Sequence, residues 1–367
     1  MRVLFLTTIP SPYRVDFFNE LGKECDLCVL FENDISVNRD VSWKNFRFEH
    51  FRGLIFNKNI QSLFLFKAFE MIKHIKHNKY DKIIISNFLT ASGMIVVKYL
   101  KRKKIPYYLE SDGGFAKNGK GFKEKLKKYI ISGANGYFST AEEHDKYYIS
   151  YGAEESKLIR YPFTSIKQSD VISSRITSDE QSFIRQKLGM SEEKIVLSVG
   201  RFTYDGGYGK GYDTLLKTSS MLPKTVGVYI VGGEPTEEFV KMKSDLAADN
   251  VHFVEFKSKK ELAEYYLASD LFVLMTRGDV WGLVINEAMS YGLPVITTNK
   301  CIAGLEMVSD DRCILEPEDV EGLSKIALEI LQDPLLSERI SLDNLATASK
   351  YTIEAMARKH IEIFNKS

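Results

Sequence analysis

Long apolar runs are missing from this chain of 367 residues; none reaches the roughly 18 residues that a membrane-spanning helix needs. The first segment, Met1-Arg2-Val3-Leu4-Phe5-Leu6, is apolar but short, and Pro10 and Pro12 follow it, so it reads as a strand and not as a signal peptide. Cysteine is scarce. Cys25, Cys28, Cys301 and Cys313 are too few for a disulfide framework in a chain of this length. Cys25 and Cys28 have CxxC spacing, but Cys28 lies in the run Leu27-Cys28-Val29-Leu30-Phe31 and no second Cys or His pair stands nearby. The pair reads as buried strand cysteine, not as a metal or redox site. No His, Cys and Asp cluster has metal-ligand spacing. No GxGxxG follows a strand, which argues against a dehydrogenase. No base-reading motif, internal repeat or low-complexity tract occurs. What remains is a reduced, cytosolic, globular protein that binds no nucleic acid.

The length suits two domains of roughly 100–200 residues each. Hydrophobic residues make up 44% and charged residues 27%, which excludes disorder. Net charge is +1, but it is unevenly spread: residues 1–166 hold 27 Lys+Arg against 18 Asp+Glu, so the first half is basic and the second acidic. The first half is therefore the one expected to meet an anionic partner or surface.

Short apolar runs alternate with helix-length segments throughout. Strands are expected at 3–7, 27–31, 82–86, 107–110 and 136–139, then at 195–199, 226–231, 252–256, 271–275 and 294–298. This rhythm predicts two doubly wound, mostly parallel α/β sheets, Rossmann-like and facing across a cleft. The polar stretch 167–193 places the boundary near 165–171, giving domains 1–166 and 167–349, with a last helix at about 350–367 packing back on the first domain. Ser11 with Pro12, and Thr140 with Glu143, have helix-capping spacing. Ligands of such sheets bind beyond the carboxyl ends of the strands.

Three such ends carry chemistry. Val199-Gly200-Arg201-Phe202 is followed by Lys210-Gly211-Tyr212-Asp213. Gly200 admits a ligand closely, and Arg201 with Lys210 places two cations where a diphosphate would be neutralised. Val231-Gly232-Gly233-Glu234-Pro235 is a glycine turn after another strand. The strongest signal is the block from Arg277 to Ile296. There Asp279 lies in a loop and Glu287 in the following helix, two carboxylates suited to sugar or ribose hydroxyls. Backbone N–H groups at Gly282, Leu283 and Val284 stand at that helix start.

The order of these elements closely resembles the nucleotide-sugar domain of family 4 retaining glycosyltransferases (glycosyltransferase group 1, GT-B fold). The resemblance rests on Ser198–Phe202, Lys210–Leu216, Asn250–Phe253 with Leu262–Tyr266, and the Asp279–Ile296 block. It covers about 190–335 well and the first half loosely, through Ser11-Pro12-Tyr13-Arg14 and Ser139–Glu143. The family usually has Glu-x7-Glu, where this chain has Asp279. The resemblance implies that Arg201 and Lys210 bind the donor diphosphate, Glu287 the ribose hydroxyls, and Asp279 the transferred sugar with N–H groups near Trp281–Val284. Phe256, Lys257 and Ser258 would border the base. UDP-sugar is the favoured donor, GDP-sugar the next, and no obligatory metal or other cofactor is expected.

The first half departs from the family. Thr8-Ile9-Pro10-Ser11 stands where a glycine pair is usual, and Ser86-Asn87-Phe88 where a His is common. Of the six histidines, His74, His77 and His144 read as solvated, and His252 and His360 as packing. Asp112, in Glu110-Ser111-Asp112-Gly113-Gly114, is the candidate for orienting the acceptor, with Ser11, Tyr13 and Arg14 beside it. Residues 98–128 are strongly basic, and Phe51, Leu54, Ile55, Phe56 and 63–66 are apolar. Together they suit a lipid-linked saccharide acceptor and peripheral contact with the cytoplasmic face of an anionic membrane. Two other readings stay open: a hydrolase using Asp279 and Glu287, and a degenerate nucleotide-sugar-binding or membrane-docking subunit.

Overall fold

A computed structural model describes residues 1–34, 47–56, 64–116, 119–202 and 205–366. Leu63 and Lys117, parts of the apolar and basic stretches, lie outside the described residues. The chain divides into two compact units, Met1–Ser165 with Tyr351–Ser367, and Ile166–Lys350.

The first unit contains β1 (Arg2–Thr7), α1 (Pro12–Leu21), β2 (Asp26–Phe31), β3 (Arg52–Ile55), α2 (Phe64–His77), β4 (Lys82–Ile85), α3 (Ala91–Lys103), β5 (Tyr108–Glu110), α4 (Phe122–Ile131), β6 (Gly136–Ser139), α5 (Glu142–Ser150) and β7 (Leu158–Arg160), with the last helix of the chain, Ile353–Lys366. Its parallel sheet has the order β3-β2-β1-β4-β5-β6-β7. Alternate residues of β1 point to opposite layers. Leu4 and Leu6 join the core built with α2, α3, α4 and α5. Phe5 instead meets Phe17 and Phe18 of α1 and His360 of the last helix. Both faces are covered, which is why these strands read as continuous apolar runs.

The second unit contains α6 (Ser178–Leu188), β8 (Lys194–Val199), a 3-10 turn (Asp205–Lys210), α7 (Tyr212–Ser219), β9 (Val226–Val231), α8 (Glu237–Asp245), β10 (Val251–Val254), α9 (Lys259–Ala268), β11 (Leu271–Leu274), α10 (Leu283–Ser290), β12 (Val295–Thr298), α11 (Ile302–Met307), β13 (Ile314–Leu315), α12 (Val320–Gln332) and α13 (Pro334–Ala348). Its parallel sheet runs β10-β9-β8-β11-β12-β13. In each sheet the strand order reverses at one pair, β1 with β4 and β8 with β11. At such a switch point the flanking connections diverge and leave room for a ligand.

The ten expected strands all form. Among the described residues three others, β3, β7 and β13, gave too weak a signal to be expected. Each has four residues or fewer and lies at a sheet edge, only partly buried. An edge strand has one neighbour and needs no continuous apolar run, so it leaves little signal. Capping spacing also misled at Thr140. Ala141 is the residue that starts α5, without a side-chain cap, and the Thr140 hydroxyl meets His144 Nδ1 at 3.2 Å instead. Ser11 does precede Pro12 at the start of α1, although its side chain makes no capping bond. Cys28 is buried in β2 and Cys25 half-buried before it, both as free thiols.

Candidate functional site

The carboxyl ends of β8 and β11 gather most of the residues selected by spacing. After β8 comes Gly200, whose carbonyl accepts a hydrogen bond from the Tyr212 hydroxyl at 2.5 Å. A Cβ on Gly200 would lie 2.8 Å from that hydroxyl and 3.6 Å from the Lys210 side chain, so glycine is what allows the strand end, the turn and α7 to meet. Gly211, at φ 72°, starts α7, and a Cβ there would collide with the carbonyl oxygen of Met275. The turn carrying Lys210 therefore lies directly against the end of β11.

Lys210 Nζ stands 2.7 Å from Asp279 Oδ2, with each side chain about one-fifth exposed (20% and 19%). Backbone bonds fix Asp279: its N–H donates to the Lys300 carbonyl at 2.8 Å, and its Oδ1 accepts from Trp281 N–H at 3.4 Å. Trp281 is buried and donates its indole N–H to Asn286 Oδ1 at 2.7 Å. Gly282, at φ 99°, then opens α10, where a Cβ would sit 2.6 Å from Cys301 Sγ. Burial raises the Cys301 thiol to about 12, so it packs as an inert neutral group. Half-buried Leu283 and Val284 form the first turn of α10.

Glu287 stands one turn further on. Its Oε2 accepts from the Tyr266 hydroxyl at 2.8 Å, and the Tyr266 ring stacks on Tyr291 at 5.2 Å. Burial, reinforced by Glu287, pushes the Tyr266 hydroxyl well above its usual range, so it stays a donor. Arg201 is exposed at the end of β8. Gly233 turns the chain after β9, and Phe256 and Lys257 occupy the exposed segment between β10 and α9, where Lys257 pairs with Glu255 at 2.9 Å. Lys210 and Asp279 thus meet side chain to side chain, while Glu287 is held by a separate partner.

Two residues at this site, Tyr266 and Arg277, lie inside the stretches singled out in the sequence, but nothing there revealed their partners. Tyr266 lies 21 residues before Glu287. Arg277 grips both Asp213 oxygens, at 2.7 and 2.9 Å, across 64 residues. Neither spacing has a helix or strand period.

In the first unit, Tyr13, Arg14 and Asp112 form one network at the end of β5. Arg14 is buried; it donates to Glu110 and, at 2.5 Å, to Asp112 Oδ1. Tyr13 donates to Asp112 Oδ2 at 2.8 Å. Ser11 is buried at the start of α1. Glu110 and His360 were not selected by spacing. Burial alone would raise Glu110, but Arg14 and His360 outweigh it and hold the carboxyl at about 2. His360, 3.4 Å from Glu110 Oε2, stacks flat on Phe138. His144 overturns its surface reading: it is fully buried, its Nε2 is 2.9 Å from Ser111 Oγ, and burial lowers its imidazole to about 3. His252, in β10, packs as read, its ring stacked on Tyr229 at 4.4 Å, and it also pairs with Glu192 at 2.5 Å.

Residues 180–345 match the family described as glycosyl transferases group 1. A 41.2 kDa protein in the cps region of Klebsiella pneumoniae is 27% identical over 268 residues, covering 69% of this chain and 68% of that protein. The lipopolysaccharide glucosyltransferase WaaG of Escherichia coli is 30% identical over 167 residues, 43% of each chain. Among solved structures, Anabaena Alr3699/HepE in complex with UDP and glucose superposes over 100% of both chains with a TM-score of 0.80 at 16% identity.

Proposed function

This chain belongs to the glycosyltransferase group 1 family, has the GT-B fold and is a glycosyltransferase, and from that premise we propose that it moves a hexose from a UDP-sugar to a saccharide acceptor with retention of configuration. GDP-sugar is the second choice of donor. Arg201 and Lys210 meet the diphosphate, Glu287 the ribose diol, and Asp279 a hydroxyl of the transferred sugar together with N–H groups of Trp281–Val284. Gly200 and Gly233 allow close approach, and Phe256 and Lys257 border the base. Asp112 orients the acceptor. The observation that carries this reading is the Lys210–Asp279 pair at the β8/β11 switch point, one cation and one carboxylate held by two loops where a ligand of this sheet would lie.

In the proposed reaction the bond between the anomeric carbon and the diphosphate oxygen breaks, and the diphosphate leaves with the electron pair. The acceptor oxygen bonds to the same face, and its proton passes to a phosphate oxygen of the leaving group. Arg201 and Lys210 supply the counter-charge, so we propose that no metal is obligatory. Thermal melting of the full chain with a panel of nucleoside diphosphates and their sugars tests the donor. At 100 times its dissociation constant a ligand adds about 2.7 kcal/mol, a rise of a few degrees for units of this size. A rise with one nucleotide class is expected. No rise with any would remove the donor reading.

Among the described residues no helix is long and apolar enough to cross a membrane. We propose instead peripheral docking of the first unit on an anionic cytoplasmic surface, with a lipid-linked saccharide as acceptor. Helices α2, α3 and α4 contain 11 Lys+Arg against Glu70 and Glu124. Leu65, Phe66, Phe69 and Phe122 are among their exposed residues. By contrast Phe51 is buried against Phe18, and Leu54 and Phe56 pack on the core. Each cation near such a surface contributes about 1 kcal/mol. The chain should co-sediment with phosphatidylglycerol-containing vesicles at low salt and not with phosphatidylcholine alone. Phe69→Ser with Lys125→Glu should abolish that binding, and equal binding to both vesicle types would refute it.

A further inference from the structure

The 3-10 turn that ends in Lys210 is fastened to the end of β11 by a side chain outside the family's diphosphate and sugar contacts. Arg277 makes a bidentate pair with Asp213, in the first turn of α7. Its NH1 also donates to the Tyr208 carbonyl at 2.5 Å, and its Nε to Glu318 at 2.8 Å. Its backbone N–H reaches the Gly209 carbonyl at 3.0 Å, and the same carbonyl accepts from the Thr276 hydroxyl at 2.9 Å. From the opposite side, the Tyr208 hydroxyl donates to Glu238 of α8 at 2.7 Å, and the Tyr208 ring packs on Phe239. Residues 208 and 209 are therefore held on both sides, and Lys210 is the next residue.

A lysine ammonium rides on a flexible four-carbon stem, so its position depends on how firmly its backbone is anchored. A bidentate guanidinium–carboxylate pair fixes orientation as well as distance. Asp213 is almost fully buried and Arg277 less than one-third exposed, which shields the pair from solvent. Arg277 is also only two residues before Asp279. One side chain thus ties the segment bearing the Lys210 ammonium to the loop bearing the Asp279 carboxylate.

We propose that Arg277 is a positioning residue for the donor diphosphate, latching the Lys210 turn to the end of β11 so that the ammonium is in place for the phosphates. The proposal rests on the reading of Lys210 as a diphosphate ligand. It predicts a defect confined to the second phosphate, because the ligand contact the proposal assigns to this turn is the Lys210 ammonium.

The experiment is calorimetric titration of the full chain with UDP and UMP, and with GDP and GMP, on wild type, Arg277→Met, Arg277→Lys and Lys210→Ala. Wild type should prefer the diphosphate at least tenfold. Lys210→Ala should remove most of that preference. Arg277→Met should reduce it at least threefold while monophosphate affinity stays within twofold, and Arg277→Lys should fall between. Asp213→Asn attacks the same pair from the other side and should reproduce the pattern if Arg277→Met fails to fold. Should Lys210→Ala remove the preference while the folded Arg277 and Asp213 variants keep it, the latch is refuted and the donor reading stands. Should Lys210→Ala leave the preference intact, or should no nucleotide bind wild type, the donor reading itself falls and the latch with it. Equal loss of mono- and diphosphate affinity with a lowered melting temperature would assign Arg277 a structural role only.

Discussion

Glu287→Ala is expected to weaken nucleoside diphosphate binding by at least tenfold, with transfer falling at least as far. A hydrogen bond to a charged group contributes about 1.5–3 kcal/mol, and a carboxylate can hold both hydroxyls of a ribose at once. Losing one such bond already costs about tenfold. The substitution also strips the Tyr266 hydroxyl of its acceptor, and Tyr266 is almost fully buried, so a small loss of stability will accompany the binding defect. Two measurements separate these effects. Glu287→Gln keeps a carbonyl oxygen for Tyr266 and should melt near wild type while binding weakly. The 2′-deoxynucleotide should bind wild type poorly, yet Glu287→Ala should no longer distinguish it from the ribonucleotide, because the discriminating carboxylate is gone. If the variant still prefers the ribonucleotide by the wild-type factor, Glu287 does not read the ribose.

The second large effect belongs to the first unit. Arg14→Met leaves Glu110, a carboxylate with no exposed surface, without its guanidinium partner. Removing one side of a buried ion pair costs about 3–5 kcal/mol, because the remaining charge is neither hydrated nor paired. The pH dependence carries the sharper test. Glu110 is held at about 2, below the 4.5 usual for its carboxyl, so its contribution is fully present above about 4.5 and is lost as pH falls toward 2. A displacement of that size corresponds to about 3 kcal/mol. His144, held neutral down to about 3 by burial, adds acid sensitivity at higher pH. The unfolded imidazole takes up its proton near 6.5, so stability declines as pH falls below that value. Protection against hydrogen exchange in α1 and β5, taken relative to the intrinsic amide rate at each pH, should therefore fall in wild type from about pH 6 downward and steeply below about 4.5. In Arg14→Met, exchange should be fast already at pH 7. The difference from wild type should then narrow in acid, where a protonated Glu110 no longer needs the guanidinium. A constant difference from pH 7 to pH 3 would show that the pair contributes packing and not charge compensation.

Particular residues show what could be read from order alone. The central strands were legible because each is covered on both faces, as Leu4, Phe5 and Leu6 illustrate by facing two different helical layers. The edge strands β3, β7 and β13 were not, since partial exposure removes the apolar run. Spacing pointed to Lys210 and Asp279, each at a strand end, but 69 positions apart nothing in the order of residues says that they touch at 2.7 Å. His144 shows the opposite failure. A polar residue beside Glu142, Glu143 and Asp145 reads as surface, yet Tyr148, one turn on in the same helix, stacks against it, and Ser111 bonds to it, a contact that depends on how α5 lies on the sheet. Similarly, Thr140 and Glu143 have the spacing of a capping box, but His144 takes the threonine hydroxyl first.

By itself, the sequence determined the βα rhythm, the two parallel sheets and the strand ends where functional groups stand, because these follow from local apolar periodicity and from where glycine interrupts it. Only the tertiary structure decided the partners: Arg277 with Asp213, Tyr266 with Glu287, Arg14 with Glu110 and Asp112, and His360 of the last helix against Glu110 of β5. Each of those contacts joins elements brought together by strand order and helix packing. A short-range charge or hydrogen bond acts over a few ångströms of space, whatever the distance along the chain.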